Sequence, residues 1–447
     1  MKATILSAVA LFLLLSCAGG AVKDPVPANP VVSLSAAKDT NVTFDPAVLQ
    51  RYQNEIKAFA DKLTSKGNFN GSLLVAKDGQ ILFEYYKGFI YYKRKTDTIT
   101  STSAFHLASV SKTITATAVL KLWQEGKIGI DQSVSAVLPG FPLPKITIRS
   151  LLNHRSGLPN YVHYMEQLGW DKKRRITNKD VFDFIVNHYR EIDIASWNTR
   201  FNYSNTNYAL LALIVEKVSG QTFPDYVMEN IFIPLGMSNS YVFTPQDSAT
   251  AMPSYYYSGR QYAFDYLDLV YGDKNIYSTV QDLYKFDRAL STNKILMPAA
   301  LEAAYMPYSF EKAGEHNYGL GWRMNLLKNG KKIIYHNGWW HGNRTSFCRL
   351  LDENVTIIAL CNNDSKSIYS VKKMSDIFGQ YLQKLDSEDD ENTPTVAPVK
   401  RKTGAKKAVK ARARKASTSK KNVTVSKKTT VKKTTTKTKT AATKKKK

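Results

Sequence analysis

The sequence predicts an α+β fold in which one antiparallel sheet, formed from both ends of the folded region, carries flanking helices and a helical subdomain. Strand-like runs occur early, at residues 72–76 and 80–86, and return beyond residue 318. Helical and loop-rich sequence fills most of the interval from about 139 to 300. A sheet that begins and ends outside a helical insertion leaves a crevice between the two, and we expect an active site there.

The early elements follow from their periodicity and their turn residues. Residues 49–63 have helical spacing, and the two early strands are joined by Lys77-Asp78-Gly79, a good hairpin turn. The most apolar helix is predicted at 109–123, and a later helix at 207–218 ends at Gly220.

The end of the folded region returns to strands and closes with an amphipathic helix, at residues 332–335, 345–351, 355–360 and about 367–385. The last two strands are predicted to form a hairpin that turns at Asp352-Glu353-Asn354. Cys348 and Cys361 lie on this hairpin. A disulfide between them and two buried thiols are both compatible with the sequence.

The first 17 residues are predicted to be an export signal. Met1-Lys2 is a short positive start, and the apolar run at 3–15 is too short to span a bilayer as a mature helix. Leu14-Leu15-Ser16-Cys17 resembles the bacterial lipobox, in which the cysteine is lipidated; ordinary cleavage after a small residue is the alternative. Residues 18–45 form a Pro-, Ala- and Ser-rich spacer. We therefore expect export to the bacterial cell envelope (periplasm or outer membrane), with a lipid anchor on Cys17.

The net charge of +26 belongs to a tail. Residues 400–447 hold 21 Lys or Arg and no acidic residue, so residues 1–399 carry +26 − 21 = +5. The folded domain is expected at 46–385, followed by an acidic and proline-containing linker at 386–399. The tail lacks the large apolar side chains of a core and is predicted to be a disordered polycation. Such a tail binds polyanions by counterion release, without sequence-specific recognition of nucleic acid, or remains solvated with no specific partner.

Neither a metal nor a cofactor is expected. The three cysteines have no metal-ligand spacing, and none of the seven histidines belongs to a His-Glu-x-x-His sequence. A metalloenzyme is therefore disfavoured.

One Ser-x-x-Lys sequence has the context of an activated nucleophile. Six such sequences occur, beginning at Ser35, Ser109, Ser291, Ser309, Ser370 and Ser417. Only Ser109 precedes a long apolar helix, on which Lys112 would lie on the same face as Ser109. Unpaired N–H groups at a helix start favour an oxyanion, and a desolvated lysine amine can serve as a base. A serine N-cap followed by a solvated lysine is the alternative for an isolated match.

Two later segments supply partners for this pair. Tyr203-Ser204-Asn205 immediately precedes the helix at 207–218, so its tyrosine can relay a proton and its asparagine can hold a substrate amide. His336-Asn337-Gly338 follows an apolar strand, where the glycine is expected to let a substrate lie close along the edge.

With these three motifs in this order, the chain resembles the penicillin-recognising serine hydrolases, specifically the branch of class C β-lactamases, DD-peptidases and esterase-like members. The resemblance covers residues from about 50 to 385 and includes several flanking segments. These are Leu151 to Pro159, Tyr208 to Met237, Tyr277-Ser278-Thr279 and Tyr318 to Trp322. It implies a β-lactamase/transpeptidase-like fold and a small peptide, β-lactam or ester as substrate.

The resemblance also implies a mechanism. Ser109 would attack a carbonyl and form an acyl-enzyme, while Lys112 and Tyr203 share the transferred proton as a coupled set. The N–H groups of Ser109 and Trp339 would form the oxyanion hole, and Asn205 would position the substrate amide. Water then releases the acid.

The third motif departs from that of the β-lactamases, which usually have lysine where this chain has His336. A histidine is fully charged only below about pH 6.5, so recognition of a substrate carboxylate is expected to be weak or pH-dependent. Trp339-Trp340 replaces small residues, and either narrows the pocket or packs the strand against the core. Efficient penicillin resistance is therefore not the favoured function.

Four other polar residues near these motifs are given structural interpretations. Glu166 precedes the Tyr-Ser-Asn motif and so does not correspond to the deacylating glutamate of class A enzymes. His154 is expected to be a structural loop residue, and Ser111 faces away from Ser109 on the helix. His341 either lines the pocket or caps a turn.

Two functions of different classes follow. The first is an envelope serine hydrolase acting on an amide or ester, including a D-alanyl cell-wall peptide. The second is a catalytically degenerate envelope protein that binds polyanions through its tail. The presence of Ser109, Lys112, Tyr203 and Asn205 favours the hydrolase.

Overall fold

A computed structural model describes residues 42–65 and 69–381. The α-helices are α1 (Pro46–Ser65), α2 (Ser111–Gln124), α3 (Val134–Val137), α4 (Ile148–Leu152), α5 (Tyr161–Gln167), α6 (Asn178–His188), α7 (Asn205–Ser219), α8 (Phe223–Val227), α9 (Ile233–Leu235), α10 (Val280–Ser291) and α11 (Pro298–Ala304). The strands are β1 (Gly71–Lys77), β2 (Gln80–Lys87), β3 (Phe89–Tyr91), β4 (Thr96–Thr98), β5 (Phe105–His106), β6 (Tyr241–Val242), β7 (Ile276–Ser278), β8 (His316–Tyr318), β9 (Arg323–Leu326), β10 (Lys332–Trp340), β11 (Asn343–Leu350) and β12 (Val355–Cys361).

The main sheet joins the two ends of the described chain, as the α+β prediction required. Its seven strands lie in the order β2-β1-β12-β11-β10-β9-β8, and every neighbouring pair is antiparallel. β1 pairs with β12 from Gly71 opposite Cys361 to Lys77 opposite Val355. The helices from α2 to α11 are contributed by the chain between the two groups of strands, which is the helical insertion that was predicted.

The two faces of the sheet pack against different layers because side chains alternate along each strand. On β10, Ile334 belongs to the large core shared with the helical region, whereas Ile333 and Tyr335 face the smaller core under α1. This alternation fixes which later residues of β10 can face the crevice.

Both hairpins were predicted at the right places. Asp78 and Gly79 have φ values of 50° and 81°, as a two-residue hairpin turn with a right-handed twist requires. Between β11 and β12, Cys348 lies opposite Ile357 and Cys361 lies opposite Arg344. Because these two positions are far apart along the ladder, the cysteines are two buried free thiols.

One predicted helix ends where the sequence indicated, and another ends earlier. α7 ends at Gly220 with φ of 74°, the left-handed cap expected there. The helix predicted at about 367–385 is present as a 3-10 helix, Lys366–Ile377, which ends earlier than expected; residues 382–385 lie outside the described residues. This helix packs Ile368, Val371 and Met374 into the core that α1 covers.

The predicted export signal with Cys17, the acidic linker and the basic tail lie outside the described residues, as does the spacer up to residue 41. Among the described helices, none combines the length and the apolarity that a bilayer crossing requires.

Gly338 allows β10 to contact the turn that carries Ser109. A Cβ atom built on Gly338 would lie 2.2 Å from the Thr345 Oγ1, 2.4 Å from the Leu107 carbonyl oxygen and 3.0 Å from the Ala108 Cβ. The Thr345 hydroxyl donates to that same Leu107 carbonyl at 2.7 Å. The expected reason for this glycine, close approach of a substrate, was therefore incomplete, because the protein itself occupies the space.

Replacing Gly338 by alanine is expected to lower the free energy of unfolding by about 1–3 kcal/mol, since the added methyl group has no room. It should also displace β10 from the Ser109 turn and slow acylation of Ser109. Urea unfolding and active-site labelling measure the two effects. Gly129→Ala is the matched control, because its Cβ would meet nothing nearer than the Gln132 Cβ at 3.6 Å. Unchanged stability and labelling in Gly338→Ala would contradict this account.

Candidate active site

Ser109 lies in a 3-10 turn, Ala108–Val110, that leads directly into α2. It therefore precedes the α-helix rather than lying within its first turn, and its side chain remains partly accessible. The turn begins with Ala108 in the left-handed region, at φ of 49°. A non-glycine residue adopts this conformation only where its surroundings hold it.

His106 holds that turn. Its Nδ1 accepts the backbone N–H of Ala108 at 2.9 Å, so the ring proton lies on Nε2, which donates to the Asn275 Oδ1 at 2.8 Å. Burial lowers the pKa of His106 to about 4. On the next turn the buried Ser111 hydroxyl accepts the N–H of Ile276, in agreement with its predicted structural position.

Lys112 is fully buried and makes three hydrogen bonds. Its Nζ donates to the Ser109 Oγ at 3.1 Å, to the Asn205 Oδ1 at 2.9 Å and to the Asp273 carbonyl oxygen at 2.6 Å. In its neutral form this amine can accept a proton from the hydroxyl that it contacts. The three-residue spacing on one helix face was the feature that predicted the contact.

Tyr203 and Asn205 are positioned by the start of α7. Ser204 is the residue before α7, and its N–H donates to the His154 Nδ1 at 3.2 Å. Asn207 donates to the same nitrogen at 3.1 Å, so His154 supports this segment from within the core. His154 is thus a buried structural residue, as was expected, with its own φ of 58°.

The Tyr203 hydroxyl oxygen is buried and has no hydrogen-bond partner within the described residues. The Lys112 Nζ lies 5.1 Å from the centre of the Tyr203 ring, and the Arg323 guanidinium carbon lies 4.9 Å from it. The Tyr203 hydroxyl is therefore not committed to any side chain or backbone group of the described residues.

His336 is fully buried and cannot be the cationic anchor that was considered for it. Its Nδ1 faces the Asn337 carbonyl oxygen at 2.7 Å, so Nδ1 carries the proton and Nε2 accepts the Tyr318 hydroxyl at 3.1 Å. Burial, reinforced by Arg323 and Lys112, holds the pKa of His336 well below its usual value. The ring is therefore neutral at neutral pH.

The residues after His336 divide between the two faces of the sheet. Gly338 and Trp340 share the face of His336, whereas Asn337 and Trp339 point to the opposite face. Trp339 is 41% exposed and stacks under the Arg344 guanidinium at 4.4 Å, so its ring does not narrow the crevice. Strand alternation in the sequence was the signal that would have shown this.

The edge of β10 beside the crevice is open. β9 pairs with β10 only from Lys332 to Tyr335, which leaves residues 336–340 without a strand on that side. Backbone groups along this edge, including those of Trp339, are in a position to bind an extended substrate.

His341 caps the turn between β10 and β11, with φ of 50°, and also lines a cavity of about 340 Å³. Its Nε2 lies 3.0 and 3.1 Å from the two oxygens of the Asp268 carboxylate, which also accepts the Trp340 indole N–H at 2.7 Å. Asp265 adds a third group of metal-ligand type within 4.8 Å. These hydrogen bonds already engage the Asp268 carboxylate, so His341 and Trp340 form a hydrogen-bonded cluster around it.

Comparisons with known proteins establish the family of this chain. The family model described as Beta-lactamase matches residues 56–371. The chain belongs to the β-lactamase family. It is 32% identical to penicillin-binding protein 4* of Bacillus subtilis (strain 168) over 358 residues, which are 74% of this chain and 77% of that protein. Members of the family are serine hydrolases that work by acyl transfer, and this chain is one of them.

Solved structures show the same fold. The penicillin-binding protein homologue of Pyrococcus abyssi superposes with a TM-score of 0.62 at 22% identity, covering 73% of this chain and 78% of that chain. The D-amino acid amidase of Ochrobactrum anthropi SV3 gives a TM-score of 0.59 at 21% identity, covering 74% and 96%. The predicted β-lactamase/transpeptidase-like fold is confirmed.

Several site residues of this β-lactamase-family chain were not predicted from the sequence. His106, Asn275, Asp273 and Tyr318 all contact a predicted residue or its turn, yet none belongs to the three motifs. His106 and Asn275 are 169 residues apart in sequence, so spacing could not connect them. Glu166, by contrast, is exposed and pairs with Lys172, consistent with its exclusion from the catalytic set.

The three buried histidines predict a loss of stability in acid. His106, His154 and His336 each have a pKa below the value of about 6.5 expected in the unfolded chain, with burial as the first cause. The unfolded chain therefore binds more protons, and the free energy of unfolding falls as the pH drops below 6.5 toward 4. Between pH 7.5 and 5.5 we expect a loss of about 1.4 kcal/mol for each histidine.

Urea unfolding at a series of pH values measures this slope. His106→Gln should remove about one third of it, whereas His188→Gln, at a partly exposed histidine paired with Glu191, should leave it unchanged. A free energy of unfolding that stays constant from pH 7.5 to 5.5 would disprove the neutral state assigned to these rings.

Proposed function

We propose that this protein is an exported serine hydrolase of the cell envelope that forms an acyl-enzyme on Ser109 and hydrolyses an amide or ester. The observation that carries the proposal is the 3.1 Å contact between the buried Lys112 amine and the Ser109 hydroxyl. A lysine taken out of water next to a partly accessible serine is the arrangement that nucleophile activation requires.

The steps follow from the contacts. The Ser109 Oγ attacks the substrate carbonyl carbon while its proton passes to the set formed by Lys112 and Tyr203. The carbonyl oxygen becomes an oxyanion held by the backbone N–H groups of Ser109 and Trp339. The leaving amine or alcohol receives the proton as the carbon–heteroatom bond breaks. Water then attacks the acyl carbon and restores the Ser109 hydroxyl.

Asn205 is suited to orient an amide in the substrate. Its Oδ1 is committed to Lys112, so its Nδ2 is the group that can donate to a substrate carbonyl. A peptide or amide that lies between Asn205 and the open edge of β10 would receive hydrogen bonds from both sides. This supports a D-alanyl cell-wall peptide, a related amide or an ester as the substrate class.

The neutral state of His336 further limits the substrate. Since the third motif offers no charge at neutral pH, a free carboxylate on the leaving group gains less there than it would from the lysine usual in β-lactamases. Among the amides and esters considered, those with an uncharged leaving group are therefore favoured as rapidly turned-over substrates over penicillins and over D-alanyl peptides whose leaving group carries a free carboxylate.

Labelling with a fluorescent penicillin and with a fluorophosphonate tests the proposal. Wild type should be labelled by at least one probe, and Ser109→Ala should lose the signal completely. Ser111→Ala is the matched control, because the Ser111 hydroxyl is buried and engaged with the Ile276 N–H. Labelling by the fluorophosphonate alone would favour an esterase over a peptidase.

If a folded wild-type protein reacts with neither probe, the hydrolase proposal is wrong. The catalytically degenerate polyanion-binding protein would then be the better description. Urea unfolding of the same preparation establishes that the domain is folded.

Location in the envelope rests on the sequence Leu14-Leu15-Ser16-Cys17, with Cys17 as the proposed lipidated residue. Expression of the full chain in a bacterial host should place it in the membrane fraction, extracted by detergent but not by salt. Cys17→Ser should move it to the soluble fraction of the envelope or leave the signal uncleaved. Wild type that is recovered as a soluble, unlipidated protein would exclude the anchor.

A further inference from the structure

A second buried lysine, Lys274, lies directly behind the site. It is 2% exposed, and its Nζ donates to the Tyr161 hydroxyl at 2.6 Å and to the Val270 carbonyl oxygen at 3.3 Å. It also lies 4.7 Å from the centre of the Trp340 ring. A buried ammonium is costly, and the reaction proposed for Ser109 does not use it.

Asp273 connects the two lysines. Its backbone carbonyl accepts Lys112 at 2.6 Å, and its carboxylate Oδ2 lies 3.4 Å from the Lys274 Nζ. The same oxygen accepts the Tyr161 hydroxyl at 3.2 Å, while Oδ1 has no hydrogen-bond partner in the described part of the chain. The carboxylate is 0% exposed. Lys274 thus lies beside the desolvated carboxylate of Asp273, while Lys112 contacts the backbone carbonyl of the same residue.

Other charged and titratable groups surround these two lysines. Those around Lys112 are Tyr203, Tyr208, His154, His336 and Arg323. Those around Lys274 are Asp273, Asp268, Tyr161 and Lys112 itself. His154 and His336 are neutral, so the excess positive charge near Lys112 comes from Lys274 and Arg323, and Asp273 opposes it.

We infer that Lys274 is a positioning residue for the proposed acyl transfer, which neutralises Asp273 and thereby keeps Lys112 and Tyr203 ready to accept the Ser109 proton. The inference rests on the proposed function. Without Lys274, the unbalanced Asp273 carboxylate would retain a proton on the neighbouring set. Burial lowers the pKa of Lys274, while Asp273 and Asp268 oppose that shift.

The direction of the effect does not depend on which member of the set holds the proton. Loss of a proton from the combined Lys112 and Tyr203 pair makes its charge more negative by one. A nearby ammonium favours that loss and a nearby carboxylate opposes it, whether the proton leaves nitrogen or oxygen. The acid limb of the pH profile for acylation therefore reports the balance between Lys274 and Asp273.

The test is the rate of Ser109 labelling by the fluorophosphonate, measured from pH 5 to 9. The rate is compared among wild type, the two single charge-removing variants and their double variant. Lys274→Met should move the acid limb to higher pH by about one unit, a tenfold slower reaction at a fixed pH on that limb, with the alkaline plateau retained. Asp273→Asn should move it to lower pH. The double variant Asp273→Asn/Lys274→Met should return it close to the wild-type position.

Lys372→Met is the matched control. Lys372 is also a buried lysine, 5% exposed and 4.4 Å from the centre of the Tyr335 ring, but it lies on the opposite face of the sheet. Its removal should leave the acid limb in place. If Lys274→Met does not fold, the other two variants still test the role of Lys274. The acid limb should move to lower pH in Asp273→Asn and return toward the wild-type pH in the double variant.

The role of Lys274 would be overturned if the acid limb of the pH profile stays at the wild-type pH in both Lys274→Met and Asp273→Asn. It would also be overturned if these variants slow Ser109 labelling by the same factor at every pH. In both cases Ser109 labelling in wild type would leave the proposed function standing. Absence of Ser109-dependent labelling in wild type would instead overturn the proposed function, and this role with it.

Discussion

The three hydrogen bonds of the Lys112 amine are the contacts on which the rest of the site depends. They join the Ser109 turn, the start of α7 through Asn205, and the 273–275 segment through the Asp273 carbonyl. Because Lys112 is buried, each of these acceptors offsets part of a large desolvation cost. Moving any one of the three segments would remove one of the amine's three acceptors, so the fold and the candidate catalytic geometry are constrained together.

The main sheet contributes the backbone edge of β10 to the candidate site, rather than charged side chains. Gly338 lets β10 touch the Ser109 turn, and the strand beside it ends early enough to leave residues 336–340 open. His336, the only ionisable side chain of the third motif, is instead turned inward and held neutral by burial. In the proposed function, substrate recognition at this edge would therefore depend on backbone hydrogen bonds, which suits amides and esters without a charged leaving group.

Much of this could be predicted from local patterns. The Ser109–Lys112 contact follows from helix spacing, the end of α7 from Gly220, and the halves of the sheet from strands at both ends of the domain. The rest depends on contacts distant in sequence. The left-handed Ala108 needs His106 and Asn275, the neutral state of His336 needs burial beside Tyr318, and the Asp273–Lys274 pair has no sequence motif of its own. Of the two tryptophans after the third motif, Trp340 packs against the core as one alternative proposed, whereas the exposed position of the Trp339 ring follows from strand alternation.

Peptide mapping by mass spectrometry after reaction with a fluorophosphonate tests the central claim, that Ser109 is the nucleophile activated by Lys112, most directly. The account predicts one adduct per chain, on the peptide that contains Ser109, and none after Lys112→Ala at neutral pH. An adduct on any other residue, or undiminished reaction at Ser109 in Lys112→Ala, would contradict it.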